Sequence, residues 1–246
     1  EIAIPSPLTL APGKEAEWEL VIRAPTGKEV PPIDLPVVLS AGGHRSEKQL
    51  RLPLRPLVEI PVLDAGTAAH DLRDNGKTPA LRAVAGDCDH GSLRLARRGD
   101  DLLLAVNFLD DRCSSSAVPE ESPPQLEFFV DGLARSEPVQ LVLRAGAAGE
   151  QPQVEFKRFG EDLDGSPAVD VASVPFDGGV RVTAAVPIAA FGLNANDNAF
   201  WFDAALVTAR ESEAPRFVSL FNSPRPFLDS RGYAKVLCTP SMEGLL

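Results

Sequence analysis

The sequence predicts an all-β fold, on three observations. Apolar residues recur at every second position in one short run after another, the period of a strand with one buried face. Pro at 23 and Gly at 19 break those runs as turns do and are high for a helical protein. No heptad, internal repeat or long amphipathic helix appears between them.

The elements follow in chain order. Leu8-Thr-Leu-Ala-Pro-Gly13 is a short strand closed by a Pro-Gly turn, and Glu17–Arg23 alternates with Trp18, Leu20 and Ile22 on one face. Pro25 and the Pro31-Pro32 pair lead into a strand at Leu35–Leu39. Gly42-Gly43 then turns the chain into Lys48–Leu54, where Leu50, Leu52 and Leu54 alternate with Gln, Arg and Pro. This first part, residues 1–58, resembles part of an immunoglobulin-like sandwich, similar to the small β domains attached to many secreted glycosidases. Its four or five strands (roughly that many in ~50 residues) are few for a free-standing sandwich.

Pro53, Pro56 and Pro61 mark the passage into a second domain, residues 59–246. After an irregular approach to Thr78, strands are expected near 79–85, 91–97, 101–109, 125–131, 138–144, 152–158, 179–186, 199–208, 215–221 and 232–237. Pro187-Ile-Ala-Ala-Phe-Gly192 reads as one helical turn with Pro at its start and Gly as its stop.

A chain of 246 residues with 44% hydrophobic content can bury a real core. Lys plus Arg 24 against Asp plus Glu 35 leaves a net charge of −11, which repels nucleic acid and anionic membrane. No apolar run approaches the roughly 20 residues of a membrane helix, so membrane insertion is not expected. The chain opens on Glu1 without a basic-then-apolar leader and reads as a mature form or a fragment. Cys88, Cys113 and Cys238 lack zinc-ligand spacing. One pair bridged with a thiol left over, or three unpaired thiols, both satisfy the sequence.

Four stretches carry a family resemblance as an ordered set. They are Asp100-Asp-Leu-Leu-Leu-Ala-Val-Asn-Phe-Leu-Asp-Asp111, Gln125-Leu-Glu-Phe-Phe-Val-Asp131, Gly178-Gly-Val-Arg-Val-Thr-Ala-Ala-Val-Pro187, and Phe221-Asn-Ser-Pro-Arg-Pro-Phe227 followed by Gly232-Tyr-Ala-Lys-Val-Leu237. Together they resemble family 9 carbohydrate-binding modules over about 180 residues. The resemblance implies a larger antiparallel β-sandwich and a non-catalytic module for a glycan, on a secreted, periplasmic or cell-surface bacterial protein. It also implies an amide contact from Asn222, a basic contact from Arg158 and a contact from Glu127 on the central strand. Trp201, between Phe200 and Phe202, points to the opposite face from both and is either core or binding platform. Structural calcium is the ion implied, with Asp110, Asp111 and Asp131 ending strands as candidate oxygen ligands.

The chain departs from the family's sugar clamp of two tryptophans. Pro119–Pro124 holds no aromatic, and Pro224 and Arg225 stand where the second tryptophan is expected. A structural or protein-binding module on the same fold is therefore the alternative, with a protein ligand in place of the glycan. Catalysis is not expected: no Gly-x-Ser-x-Gly elbow is present, and the aromatic-lined cleft of a two-carboxylate glycosidase is missing. Asp87-Cys-Asp-His90 offers one Cys and one His without a partner pair, which suits a turn better than a metal site. Asp162-Leu-Asp-Gly165 lacks the later positions of a calcium loop. Met242 lies beyond the last expected strand, out of reach of a haem pocket.

Overall fold

The computed structural model describes residues 33–41, 44–52, 56–73, 78–133, 137–146, 150–163, 165, 167–210, 214–221 and 233–240. The chain divides into two compact units, Glu1–Leu54 and Arg55–Leu246. In the first, β1 (Ile33–Ala41) and β2 (His44–Leu52) pair antiparallel from Ile33↔Leu52 to Ala41↔His44. The Trp18 strand lies outside the described residues.

The second unit is built from β3 (Leu57–Val62), β4 (Leu81–Ala85), β5 (Cys88–Arg98), β6 (Asp101–Leu109), β7 (Gln125–Asp131), β8 (Val139–Arg144) and β9 (Gln153–Arg158). They are followed by β10 (Glu161–Asp162), β11 (Asp170–Phe176), β12 (Gly179–Pro187), β13 (Ala199–Thr208), β14 (Arg216–Ser219) and β15 (Ala234–Pro240). Two 3-10 turns, η1 (Ala69–Arg73) and η2 (Ile188–Phe191), complete it, and no α-helix occurs among the described residues. The hydrogen-bonded path runs β10-β9-β8-β7-β13-β15-β3-β5-β6-β12-β11, with β14 beside β13 and β4 beside β5. All pairs are antiparallel except β15 with β3 and β3 with β5. The β3–β5 link rests on the single pair Val62↔Arg97. This is the all-β sandwich expected.

Period-two alternation builds the core between the layers. Leu102, Leu104, Val106 and Phe108 of β6 meet Leu126, Phe128 and Val130 of β7 and Phe200, Phe202, Ala204 and Leu206 of β13 in one buried cluster. Phe128 packs against Phe202 and Phe191 at centroid separations of 5.5 and 5.9 Å. The other face of β6 is covered too: Leu103 and Ala105 join Ala96, Ala185 and Leu72 of η1 in a smaller cluster.

Particular residues stop and seal the elements. Gly192 ends η2 at φ 71°, a left-handed conformation that glycine adopts without a Cβ clash, as the Pro-to-Gly pattern anticipates. A Cβ on Gly91 would stand 2.0 Å from the Asn107 carbonyl oxygen, so β5 can approach β6 there only with glycine. Arg97, buried on β5, donates to the carbonyls of Gly99, Ala195 and Asp197, pinning the loop before β13. The sheet's terminal strands are blunted: β10 is two exposed acidic residues, and β11 carries Pro175 and an exposed Asp170.

Two expectations gain detail here. All three cysteines are unpaired, and burial pushes the Cys113 thiol up to about 11. Asp87–His90 is a β4–β5 hairpin: Asp89 pairs with Arg82, and buried His90 meets Thr208 through Nδ1 and Oγ1 at 2.8 Å. β3 and β11 were not foreseen as strands, nor was β10.

Asp110 locks the end of β6 to the end of β13. Its fully buried carboxylate accepts from Arg112 Nε (2.9 Å) and Nη2 (2.7 Å), from the Arg112 backbone N–H (3.0 Å) and from the Ala209 N–H (2.9 Å). Burial alone would raise its pKa, but the Arg112 guanidinium and the two backbone donors outweigh that and hold it below 3.8. A depressed carboxyl stabilises the fold above its unfolded value, and that contribution is lost as pH falls through the folded value. Asp110→Asn is expected to cost about 2–3 kcal/mol at neutral pH, because buried donors lose their acceptor. In urea melts run from neutral pH to below 3.8, the gap between the two proteins should narrow at the acid end; a constant gap would show that the ionised form is not what stabilises.

Phe159 and Gly160, joining β9 to β10, have φ of 52° and 85°, the pattern of a type I′ turn. Phenylalanine is strained at positive φ. Phe159→Asn, which makes the favoured Asn-Gly turn, should raise stability by about 1 kcal/mol in the same melts.

Candidate ligand-binding face

The core fixes which side chains face away from it. With Leu126, Phe128 and Val130 drawn inward, Gln125, Glu127, Phe129 and Asp131 of β7 take the opposite face. Register carries that face across the sheet, because paired residues point the same way. Glu127 stands opposite Val142 of β8 and Ala205 of β13, and Val142 opposite Glu155 of β9. In the next row Gln125 stands opposite Arg144 and Val207, and Val207 opposite Phe217 of β14.

A connected polar ladder occupies this face. The Glu127 carboxylate accepts from Gln125 Nε2 and from Gln140 Nε2, each at 3.0 Å. Gln125 Oε1 accepts from Arg144 Nε at 3.2 Å, and Arg144 forms an ion pair with Glu155. Lys157 Nζ lies 3.0 Å from Glu155 Oε2 and 3.6 Å from Asp162 Oδ1. Burial raises the Glu127 pKa above 4.5; Gln125, Arg144, Lys157 and Gln140 pull it back without cancelling the effect. The Arg144 hydrogen bond, by contrast, holds Glu155 below its ordinary value despite some burial. The ladder thus presents a desolvated carboxylate, amides and a guanidinium side by side, a donor and acceptor set suited to a polyhydroxylated ligand.

The expected site residues separate in space. Glu127 is at the centre of the face. Trp201 is on the same face, in a row with Asp131 and Lys235, but four residues along β13 from Ala205, about 13 Å. It is half-buried, with Lys235 Nζ 6.0 Å from its ring centroid. Arg158 takes the other face: it stands opposite Val139, a core residue, and pairs with Glu137 at 3.2 Å. The basic residue of β9 that shares the face of Glu127 is its neighbour Lys157, opposite Gln140. Asn222 lies outside the described residues, as do Met242 and most of the Phe221–Phe227 stretch.

The three candidate calcium ligands are used differently. Asp110 is committed to Arg112 and Ala209, and Asp111 pairs with Arg210 at 2.6 Å. Asp131 is buried at the end of β7, its Oδ1 without a hydrogen-bond partner among the described residues. Among those residues no group of three or more His, Cys, Asp or Glu is placed to hold a metal ion. No helix among them is long and apolar enough to cross a membrane.

Sequence reasoning missed Gln125, Gln140, Arg144 and Lys157, because their meeting depends on cross-strand register. It also missed Phe217. Val218 enters the core, so Phe217 faces the ladder side, where it is 47% exposed. Strand alternation around Val218 was the available signal.

No protein-family model and no curated protein matches the chain. Solved structures do. A "putative carbohydrate-binding protein" from Bacteroides uniformis is similar at a TM-score of 0.54 and 14% identity, over 76% of this chain and 100% of that one. A family 9 carbohydrate-binding module from Caldicellulosiruptor kristjanssonii in complex with cellotriose is similar at 0.53 and 11%, over 77% and 97%. The same kind of module from that organism in complex with glucose is similar at 0.51 and 10%, over 76% and 98%. At these identities the likeness shows the fold.

Proposed function

We propose that the second unit is a non-catalytic glycan-binding module of a secreted or cell-surface protein. It holds its ligand on the outward face of β7, β8 and β9 around Glu127. The observation that carries this reading is the ladder itself. A carboxylate raised by burial, two amides and a guanidinium are fixed by mutual hydrogen bonds on the sheet face turned away from the core cluster. Sugar hydroxyls both donate and accept, and they match such a set without a nucleophile or a proton relay. The sandwich shared with sugar-binding modules supports the same reading by analogy of fold. Trp201 is too far from Glu127 for one sugar ring to touch both, and Arg158 leaves the contact set. The aromatic-free loop Pro119–Pro124 favours one competing reading, a structural or protein-binding module that has lost its sugar.

Affinity electrophoresis through gels of hydroxyethyl cellulose, mixed-linkage β-glucan, xylan and glucomannan separates the two. Wild type should be retarded by at least one polymer, and Glu127→Gln should lose most of that retardation with an unchanged melting temperature. Protonation removes an acceptor, and the Glu127 carboxyl is raised, so wild-type retention should weaken on acidification before the pH reaches 4.5. The Gln variant should show no such limb. Free migration of wild type in all four gels would favour the protein-binding reading.

A further inference from the structure

A pyranose ring has two kinds of surface, hydroxyls at its edge and an apolar C–H face, and the polar ladder answers only the first. The register places an aromatic where the second would be met. Phe217 of β14 stands opposite Val207 of β13, which stands opposite Gln125 of β7, so the three share the face on which Glu127, Gln140 and Arg144 meet. Phe217 is 47% exposed although its neighbours are engaged: Val218 is in the core, and the Ser219 hydroxyl donates to buried Asp203 at 3.1 Å. The strand is therefore held from the residue beside Phe217 and from the one after that. Two strand spacings, about 10 Å, separate Phe217 from Gln125. Between them lies half-buried Val207. The residue between ring and ladder is thus apolar and partly exposed.

We infer that Phe217 is the aromatic platform of the glycan site: one neutral pyranose stacks its C–H face on the Phe217 ring, over Val207, while its hydroxyls reach Gln125 and Glu127. The inference rests on the glycan-binding reading and names the residue that supplies the stacking surface missing from the Pro119–Pro124 loop. It also sets the class of sugar. A residue with an axial group on the stacked face, or with a carboxylate directed at Glu127, is excluded by shape and by charge.

Phe159 is a matched control. It is 49% exposed, but at the β9–β10 turn and off the Phe217–Gln125 row. On whichever of the four polymers retards wild type, Phe217→Ala should weaken retention at least tenfold. Phe217→Trp should stay within threefold of wild type, because the ring face is kept, and Phe159→Ala should migrate as wild type. If Phe217→Ala does not fold, Phe217→Leu, which keeps apolar volume and removes the ring, should show the same loss. Loss of retention by Glu127→Gln with full retention by Phe217→Ala, or by Phe217→Leu in its place, would overturn the platform and leave the glycan reading standing. Equal losses in Phe159→Ala and Phe217→Ala would overturn it as non-specific adhesion. Failure of every polymer to retard wild type would remove the glycan reading and the platform with it.

Discussion

Each side chain on the ladder face owes its direction to the burial of its neighbours. Leu126, Phe128 and Val130 are drawn into the shared core together with Leu141 and Leu143 of β8 and Phe156 of β9. A slip of one residue in any of these pairings would exchange the two faces entirely. The core therefore acts as a register lock: burying those apolar residues aligns Glu127 with Val142, Val142 with Glu155, and Gln140 with Lys157. The polar ladder is a by-product of hydrophobic alignment, and it is as rigid as the strands beneath it.

This rigidity bears on the electrostatics. Glu127 is desolvated enough for burial to dominate its pKa, yet both carboxylate oxygens already accept from glutamine amides. A buried acceptor without such partners would cost more than the face could tolerate. The amides hold the carboxylate in place while leaving lone pairs for a further donor, and each glutamine keeps hydrogen-bonding capacity of its own. A ligand then meets groups whose side-chain freedom was lost during folding, so binding orders little that is not already ordered. Asp110 shows the opposite solution. Four donors surround it, its pKa falls, and nothing of it is left for an outside partner.

What the sequence made legible follows the range of each interaction. Apolar or alternating runs, such as Asp101–Leu109 and Gly179–Pro187, and the Pro187-to-Gly192 turn were readable because their signals are local. β10 is two residues long and β11 contains Pro175, so neither shows a clean strand signal. Glu127 was readable as an outward position on the central strand. Its partners were not, since Gln140 and Arg144 come from the next strand and reach it only through register. Arg158 and Lys157 differ by one position, and at period two one position changes the face. Phe217 was missed for a related reason: a strand near 215–221 shows alternation, but only pairing with β13 puts Phe217 on the face of Gln125.

The place of β15 in the sheet has a consequence for how the chain assembles. Residues 234–240 lie between β13 and β3, antiparallel to one and parallel to the other, with Val236 facing Val58 across nearly the whole unit. Until that segment pairs, β3 and β13 each lack a hydrogen-bonded neighbour. Pairings this distant in sequence make folding slow. Before β15 pairs, the strand edges it covers expose unpaired N–H and C=O groups, the kind of edge that other chains can pair with.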